Sequence, residues 1–251
     1  VPSTLSWWVM SASDRYIIRW VLGGAANGIY SVAHKFPSIL QTVFLMFNNA
    51  WTDMALAELE KGEKSEEYTK KVFQQFYKLS FGMAFVLIPL TKLVMKLILS
   101  SAYKEAAVYV GFLYLGTVFQ GFSSFSSIGY LQGKKTNGAA KTSVYGAIVN
   151  LIINLIFIKF IGLFAAALST FLGFFVMWVF RMRDIRYVFP VKIDLKVFIP
   201  YLAVGIAIAT ATVWTNNIVD FGLILAGCLF FLIDNRASLK SIILMVKKKK
   251  T

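Results

Sequence analysis

Residues 143–180 read SVYGAIVNLIINLIFIKFIGLFAAALSTFLGFFVMWVF, and this stretch decides the fold class. It contains two apolar runs, 143–159 and 163–180, and Lys159 is its only charged residue. A helix needs about 17–25 such residues to cross the hydrocarbon core of a bilayer. The runs are continuous, whereas the strands of a membrane barrel alternate apolar and polar residues. We therefore expect two transmembrane helices joined by a short turn.

Similar runs recur along all 251 residues. Hydrophobic residues make up 58% of the chain and charged residues 15%, which excludes a soluble enzyme, a disulfide-rich secreted domain and a disordered tail. Helices are expected because they satisfy every backbone polar group internally. The sequence predicts an all-α polytopic membrane protein with about eight transmembrane helices. The predicted spans are 3–20, 27–55, 73–98, 107–131, 143–159, 163–180, 197–214 and 219–233.

The net charge of +14 is distributed unevenly along the chain. Four alternate connections carry 18 Lys and Arg residues, whereas the other connections carry only Lys104. The basic connections are 56–72, 132–142, 181–196 and 234–251. Positively charged loops remain in the cytoplasm, so this asymmetry predicts a multi-pass protein of the cell membrane with a cytoplasmic C-terminus. The basic balance is explained by topology and by anionic membrane lipids, so no nucleic-acid partner is expected.

Ionisable residues occur inside the first span, where they are energetically unfavourable and usually functional. Ser11, Arg15 and Arg19 recur every four residues and therefore share one helix face. Asp14 lies about 100° around the same helix. It could pair imperfectly with Arg15 or with a cation on another helix. Arg19 fits either a cavity or the outer membrane interface, to which its long side chain can extend.

A polar stripe follows the second span. Lys35 lies well inside the membrane on this helix, and Pro37 should kink the helix nearby. Together these features favour a hydrated cavity. His34 could be a proton-linked group or a hydrogen-bonded bystander. The stripe consists of Asn27, Ser31, His34, Lys35, Ser38, Gln41, Thr42, Asn48, Asn49 and Thr52, and Asp53 ends it.

Later spans carry fewer polar residues. Asn150 and Asn154, four residues apart in the fifth span, could line a cavity or hold two helices together. In the fourth span, the amide of Gln120, hydroxyls such as Ser124 and small residues such as Gly111 predict close helix packing.

No signature of catalysis occurs in the sequence. There is no Gly-rich phosphate loop, no catalytic triad order and no Cys/His metal spacing, and Cys228 is the single cysteine. We therefore expect no enzyme activity, no cofactor and no metal. Arg and Lys groups in a cavity favour an anionic ligand.

The runs SDRYII (13–18), NGIYSVA (27–33) and KFPSIL (35–40), followed by FNNAW (47–51), resemble the Wzx-type oligosaccharide flippases. These O-antigen and capsule repeat-unit transporters are a branch of the MATE-like multidrug/oligosaccharidyl-lipid/polysaccharide exporter superfamily. The resemblance implies two pseudo-symmetric six-helix lobes around a central cavity, followed by an extra helix pair. On that scheme residues 1–180 form the second lobe. Residues 181–251 form a cytoplasmic loop, the extra pair and a basic tail, and the first lobe is missing from this chain.

The family resemblance also implies a cargo, which is undecaprenyl-pyrophosphate-linked oligosaccharide moved from the cytoplasmic to the outer leaflet for surface or capsular polysaccharide synthesis. Besides this glycolipid, the expected partners are membrane lipids, the first lobe and a polysaccharide polymerase. The location implied is the bacterial inner membrane. The residues expected to bind substrate in the cavity are Arg15, Arg19, Lys35, Asn27, Ser31, Asn150 and Asn154. The candidates for ion or proton coupling are Asp14, His34 and Asp53.

Two other kinds of function fit the sequence. One is another exporter of the superfamily, either a lipid II flippase or a drug/cation antiporter, although a cationic drug should require acidic cavity groups. The other is a scaffold of the polysaccharide assembly complex that transports nothing itself.

Overall fold

The computed structural model describes residues 2–60, 66–187, 189, 191 and 193–236, which are almost entirely helical and contain no strand. A short 3₁₀ helix, Ser101–Val108, precedes α4. The predicted Lys247–Lys250 topology signal lies outside the described residues. The α-helices are α1 (Pro2–Val21), α2 (Gly24–Glu60), α3 (Glu66–Ile98), α4 (Val110–Ser126), α5 (Ile128–Gln132), α6 (Thr136–Ile161), α7 (Leu163–Asp184), α8 (Leu195–Trp214) and α9 (Asn217–Asp234).

Five of the described helices, α3, α6, α7, α8 and α9, are long and apolar enough to cross a membrane. A sixth crossing is formed if Ser101–Val108 and Val110–Gln132, which meet at a bend of 50°, act as one span. The prediction of an all-α membrane protein is therefore confirmed. Helices α1 and α2 are long enough to span, but their charged and amide side chains make them less apolar. The count of eight spans stays a prediction.

Two glycines allow the tight turns between neighbouring helices. Gly23, between α1 and α2, has φ of +91°, and Gly162, between α6 and α7, has φ of +57°. Side-chain-bearing residues rarely adopt this left-handed region, whereas glycine does so freely. The short turn expected within 143–180 is therefore made at Gly162.

The connections 56–72 and 181–196 are shorter than the sequence suggested. Helix α2 continues to Glu60 and α3 begins at Glu66, while α7 continues to Asp184. Charged residues can extend a helix beyond the bilayer, where their side chains are solvated and pair along the helix. Glu67 and Lys71 form such an i,i+4 ion pair of 2.9 Å in the first turns of α3.

Helix α4 lies at the centre of the bundle and contacts α2, α3, α7 and α8. Its Phe119 and Phe122 are fully buried. The ring of Trp178 from α7 lies 5.4 Å from Phe119, and the ring of Phe73 from α3 lies 5.5 Å from Phe122. Such tilted and edge-to-face aromatic contacts add directional packing to a core otherwise held by dispersion.

Two ion pairs hold α9 against α3, and a hydrogen bond connects α8 to one of them. Lys92 of α3 lies 2.9 Å from Asp220 of α9, and both side chains are almost completely buried. Fourteen residues earlier on α3, Lys78 lies 2.9 Å from Asp234, which also accepts a 2.6 Å hydrogen bond from the Tyr201 hydroxyl of α8. Buried charges persist when they are paired and hydrogen-bonded. These pairs fix both ends of α9 along α3.

Candidate functional site

Asp14 is the centre of a buried polar cluster that joins four helices. Its side chain is 2% exposed. Thr170 of α7 donates to Oδ2 at 2.6 Å, and the Tyr30 hydroxyl of α2 donates to the same oxygen at 3.1 Å. On α6, Asn154 and Asn150 donate to Oδ1 at 2.7 and 3.3 Å. All four donors are neutral, and within the described part of the chain Asp14 forms neither the ion pair with Arg15 nor one with a cation on another helix that the sequence left open.

The two asparagines of α6 are completely buried within this cluster. Besides Asp14, the Asn150 amide contacts Ser169 at 3.2 Å, and its oxygen accepts from Ser13 at 3.3 Å. Of the two alternatives left open by the sequence, the structure shows helix linkage through Asp14. It does not place Asn150 and Asn154 on the exposed surface with Arg15.

The cations of α1 point away from the cluster. Met10, Asp14 and Ile18 are buried on the side of α1 that packs against α6 and α7. Arg15 and Arg19 are exposed on a different side of the helix, about 100° around from Asp14 and Ile18, respectively. At 1.5 Å per residue, Arg15 lies about 9 Å along the helix axis from its end at Val21. Arg15 is thus placed well inside the helix, whereas Arg19 lies close to its C-terminal end.

Lys35 is an exposed cation on α2. It lies about 16 Å along the axis from the start of α2 at Gly24. Within the described residues, neither Lys35 nor Arg15 nor Arg19 has a carboxylate within ion-pair distance. These three exposed cations, Arg15, Arg19 and Lys35, are together called the cationic face below.

His34 of α2 is partly buried and lies beside Tyr30, a member of the Asp14 cluster. Arg15 is close enough to Tyr30 and His34 to act on both electrostatically. The Tyr30 and His34 rings have centroids 6.3 Å apart, and Tyr30 in turn donates to Asp14. His34 is therefore a neighbour of both groups of residues. Asn27 and Ser31 are partly buried on the preceding turns of α2, and the Asn27 Oδ1 has no hydrogen-bond partner among the described residues.

Asp53 is not part of this arrangement. It is exposed near the far end of α2, about 27 Å along the axis from Lys35. The structure therefore places the three coupling candidates in different surroundings, with Asp14 buried, His34 partly buried beside it and Asp53 remote.

Two crevices flank the exposed side of α2. One, of about 300 Å³, lies towards α3 and is almost entirely apolar. Its lining residues include Phe36, Ile39, Val43, Met83 and Leu87. The other, of about 290 Å³, lies towards α4; its lining includes amide and hydroxyl side chains, but most of its accessible surface is apolar. Lys35 is next to Phe36 in the chain and shares a helix face with Thr42, so it lies near both crevices.

The sequence did not predict that Arg181 is buried, because it stands among the basic residues of an expected cytoplasmic loop. It belongs to α7 and is 2% exposed. Its guanidinium donates to the Ser123 carbonyl at 2.6 Å, to Ser143 at 2.9 Å and to Thr142 at 3.3 Å. These contacts join α4, α6 and α7. Its neighbours Arg183 and Arg186 are exposed, so nothing in the local charge pattern distinguishes Arg181.

Comparison with known proteins gives a limited result. No protein-family model matches the chain, and no solved structure matches it. The chain is similar to MJ1068, an uncharacterized membrane protein of Methanocaldococcus jannaschii, with 25% identity over 230 residues. The match covers 84% of this chain and 43% of that protein, so the chain spans less than half the length of this relative. This similarity and the long apolar helices together identify the chain as an all-α membrane protein.

Proposed function

We propose that the chain is the second lobe of a Wzx-type flippase, which moves undecaprenyl-pyrophosphate-linked oligosaccharide repeat units from the cytoplasmic to the outer leaflet. The carrying observation is the cationic face. Arg15 and Lys35 are exposed at depths of about 9 and 16 Å along their helices, and neither has a carboxylate partner in the described residues. A diphosphate group would supply the missing anion, because Arg forks and Lys ammonium groups both bind phosphate oxygens.

The energetic argument concerns what covers this face. A cation at the centre of a membrane helix costs about 2.5–3.5 kcal/mol on insertion scales when it meets hydrocarbon. Two such cations on adjacent helices therefore favour a hydrated cavity over direct contact with lipid tails. The missing first lobe would form the opposite wall of that cavity. The lipid tail can stay in the bilayer while the polar head crosses, and one lobe rocks against the other to alternate access.

The Asp14 cluster is the proposed coupling element, with His34 as its link to the cationic face. A buried carboxylate surrounded by neutral hydroxyl and amide groups can bind a proton or a cation. Such binding would alter the hydrogen bonds that join α1, α2, α6 and α7. Those four helices would then change their relative positions when the site is loaded or emptied, which is the linkage that alternating access requires. The proposal also includes eight spans, a cytoplasmic C-terminus and a location in the bacterial inner membrane.

Lipid II is the principal alternative cargo, because it carries the same prenyl diphosphate. The cationic face would serve either glycolipid. The two cargoes differ in the polymer that fails to form when transport stops, which is surface polysaccharide in one case and peptidoglycan in the other.

The test is replacement of Lys35 in the full protein, with export of surface polysaccharide as the readout. Lys35→Ala should abolish surface polysaccharide and cause lipid-linked repeat units to accumulate, while the amount of protein in the membrane stays normal. Lys35→Arg should restore part of the export because the charge is kept. Lys104→Ala, which removes an exposed lysine from the short 3₁₀ helix before α4, is the matched control. Normal export by Lys35→Ala would remove the main support for the proposal, and loss of peptidoglycan instead would assign the lipid II cargo.

A further inference from the structure

The ends of α6 and α7 that lie farthest from their connecting turn enclose two adjoining hollows with a basic lining. Their volumes are about 440 and 380 Å³, and Lys141 and Asp184 line both. We call the two hollows together the basic crevice; its charged lining residues are Lys134, Lys135, Lys141, Arg183, Arg186 and Asp184. Five cations and one carboxylate therefore line the same concave surface.

The positive charge of the basic crevice is largely uncompensated. Its five cations are exposed, and none of them forms an ion pair within the described residues. The single carboxylate, Asp184, can balance only one of them. Arg181 adds a positive charge from the inside, because its Nε donates to Thr142 of the lining at 3.3 Å. A concave surface lined by one sign of charge strengthens the local potential and so favours an anion.

Positive charge alone does not identify the ligand, because basic connections are also expected from topology. The apolar surface that adjoins the crevice is more informative. Lys141 and the large side chains of Tyr145, Ile148, Ile152 and Leu155 recur at intervals of three or four residues, so they share one face of α6. The four large side chains are between 44% and 50% exposed, so packing within the described chain leaves this α6 stripe open.

The length of the α6 stripe matches one leaflet of a bilayer. Tyr145 and Leu155 lie about 15 Å apart along the helix axis, and the hydrocarbon core of both leaflets together is ~30 Å thick. Where the stripe meets the crevice, the rings of Tyr145 and Phe180 lie 5.1 Å apart and line the larger hollow beside the cations. Aromatic side chains are common at the level where headgroups meet hydrocarbon. The combined surface therefore suits a ligand with an anionic head and a hydrocarbon tail.

We infer that the basic crevice and the α6 stripe form a binding site for an anionic phospholipid. The lipid phosphate lies between Lys141 of α6 and Arg183 of α7, because ammonium and guanidinium groups both bind phosphate oxygens. One acyl chain lies along the stripe from Tyr145 to Leu155. Basic pockets between membrane helices bind anionic headgroups in this way. A free phosphate would use only the basic part of the surface and leave the apolar part uncovered.

The inferred site is independent of the proposed transport function. It lies on α6 and α7 and uses none of the residues of the cationic face on α1 and α2. The phospholipid is a resident of the site and not a cargo. Because its phosphate contacts cations of two helices, the bound lipid should hold the ends of α6 and α7 together and raise the Tm of the protein.

The test is native mass spectrometry of the purified full protein, titrated in detergent with phosphatidylglycerol. Lys141→Gln and Arg183→Gln should each weaken binding about 5-fold, and the double variant about 25-fold, because each change removes one cation from the phosphate. Lys159→Gln is the matched control, since it removes an exposed lysine at the opposite end of α6 and should leave the affinity unchanged. Phosphatidylcholine with the same acyl chains should bind more weakly, because its choline cancels the phosphate charge.

Two further measurements separate a phospholipid from a free phosphate. The double variant Ile148→Asn/Ile152→Asn keeps every cation and makes the stripe polar, so it should weaken phosphatidylglycerol binding several-fold. Glycerol phosphate, which is the anionic head without the acyl chains, should not displace the lipid at equal concentration. Phosphatidylglycerol should raise the Tm of the wild type and of Lys159→Gln, but not that of Lys141→Gln/Arg183→Gln.

Several outcomes would overturn the inference. Wild-type affinity for phosphatidylglycerol in Lys141→Gln/Arg183→Gln, or an equal loss in Lys159→Gln, would show that the lipid binds elsewhere. Equal affinity for phosphatidylglycerol and phosphatidylcholine would remove the role of the cations. Displacement of the lipid by an equal concentration of glycerol phosphate would identify a site for free phosphate instead. None of these measurements uses transport, so they hold whether or not Lys35→Ala stops export.

Discussion

Replacing Asn154 by Leu should destabilise the protein by removing the shortest amide contact to Asp14. Asn154 is completely buried and donates to Asp14 Oδ1 at 2.7 Å. Leucine has nearly the same size and cannot donate, so the carboxyl oxygen keeps only the 3.3 Å contact from Asn150. A buried acceptor that loses its main donor costs about 1–3 kcal/mol. For a chain of this size, about 2 kcal/mol corresponds to a fall in Tm of roughly 4–8 °C.

The assay is thermal unfolding in detergent, followed by tryptophan fluorescence, with Asn49→Leu as an exposed control. Asp14→Leu alone should also lower the Tm. The double variant Asp14→Leu/Asn154→Leu should be less destabilised than the sum of the two single changes, because neither partner is then left without the other. A Tm for Asn154→Leu equal to that of the control, or strict additivity in the double variant, would refute a buried hydrogen-bonded cluster at Asp14.

Three further predictions concern topology, the α3–α9 ion pair and sufficiency. In a cysteine-free background, a thiol reagent should label Tyr103→Cys in intact cells but Lys135→Cys only after the cells are permeabilised. Labelling of both positions in intact cells would contradict the predicted cytoplasmic location of Lys135. Lys92→Leu should lower the Tm more than Lys96→Leu, because Lys92 is buried whereas Lys96 is partly exposed. The Lys92 ammonium group pairs with Asp220 and donates to the hydroxyl and the backbone carbonyl of Thr215. The reverse order of Tm values would show that the Lys92–Asp220 pair does not hold α9 on α3. Residues 1–251 alone should insert into the membrane but should not restore export in a flippase-deficient strain. Co-expression with the first lobe should raise export. Full complementation without a partner would indicate a cavity built from two copies of the chain.

Some features followed from local sequence pattern alone. The continuous apolar runs predicted the helices from α3 onwards, because length and composition decide whether a helix can cross a bilayer. The i,i+4 spacing of Asn150 and Asn154 predicted that their side chains act together. Close packing predicted from small residues in the fourth span is confirmed at Gly111, where a Cβ would lie 2.8 Å from the backbone of Ala209 in α8.

Other features depend on contacts between residues distant in the chain. Lys92 is one of three lysines in the run 73–98 and Asp220 is the single charge in the run 219–233, and only the packing of α9 on α3 brings them together. The sequence suggested that Asp14 could pair with a cation, yet four neutral donors from three other helices satisfy it. Arg181 was assigned to a loop because exposed basic residues follow it. In each case the deciding information is the tertiary neighbour, which residue spacing along one helix does not contain.

The most direct test of the central claim is translocation by the full protein reconstituted in liposomes. The substrate would be a prenyl diphosphate bearing a short oligosaccharide, and the comparison lipid would carry the same sugar without phosphate. The wild type should move the diphosphate lipid between leaflets and leave the phosphate-free lipid in place. Lys35→Ala should lose this movement, and Lys104→Ala should retain it. Equal translocation of both lipids, or unchanged movement of the diphosphate lipid by Lys35→Ala, would contradict recognition of the substrate through the cationic face.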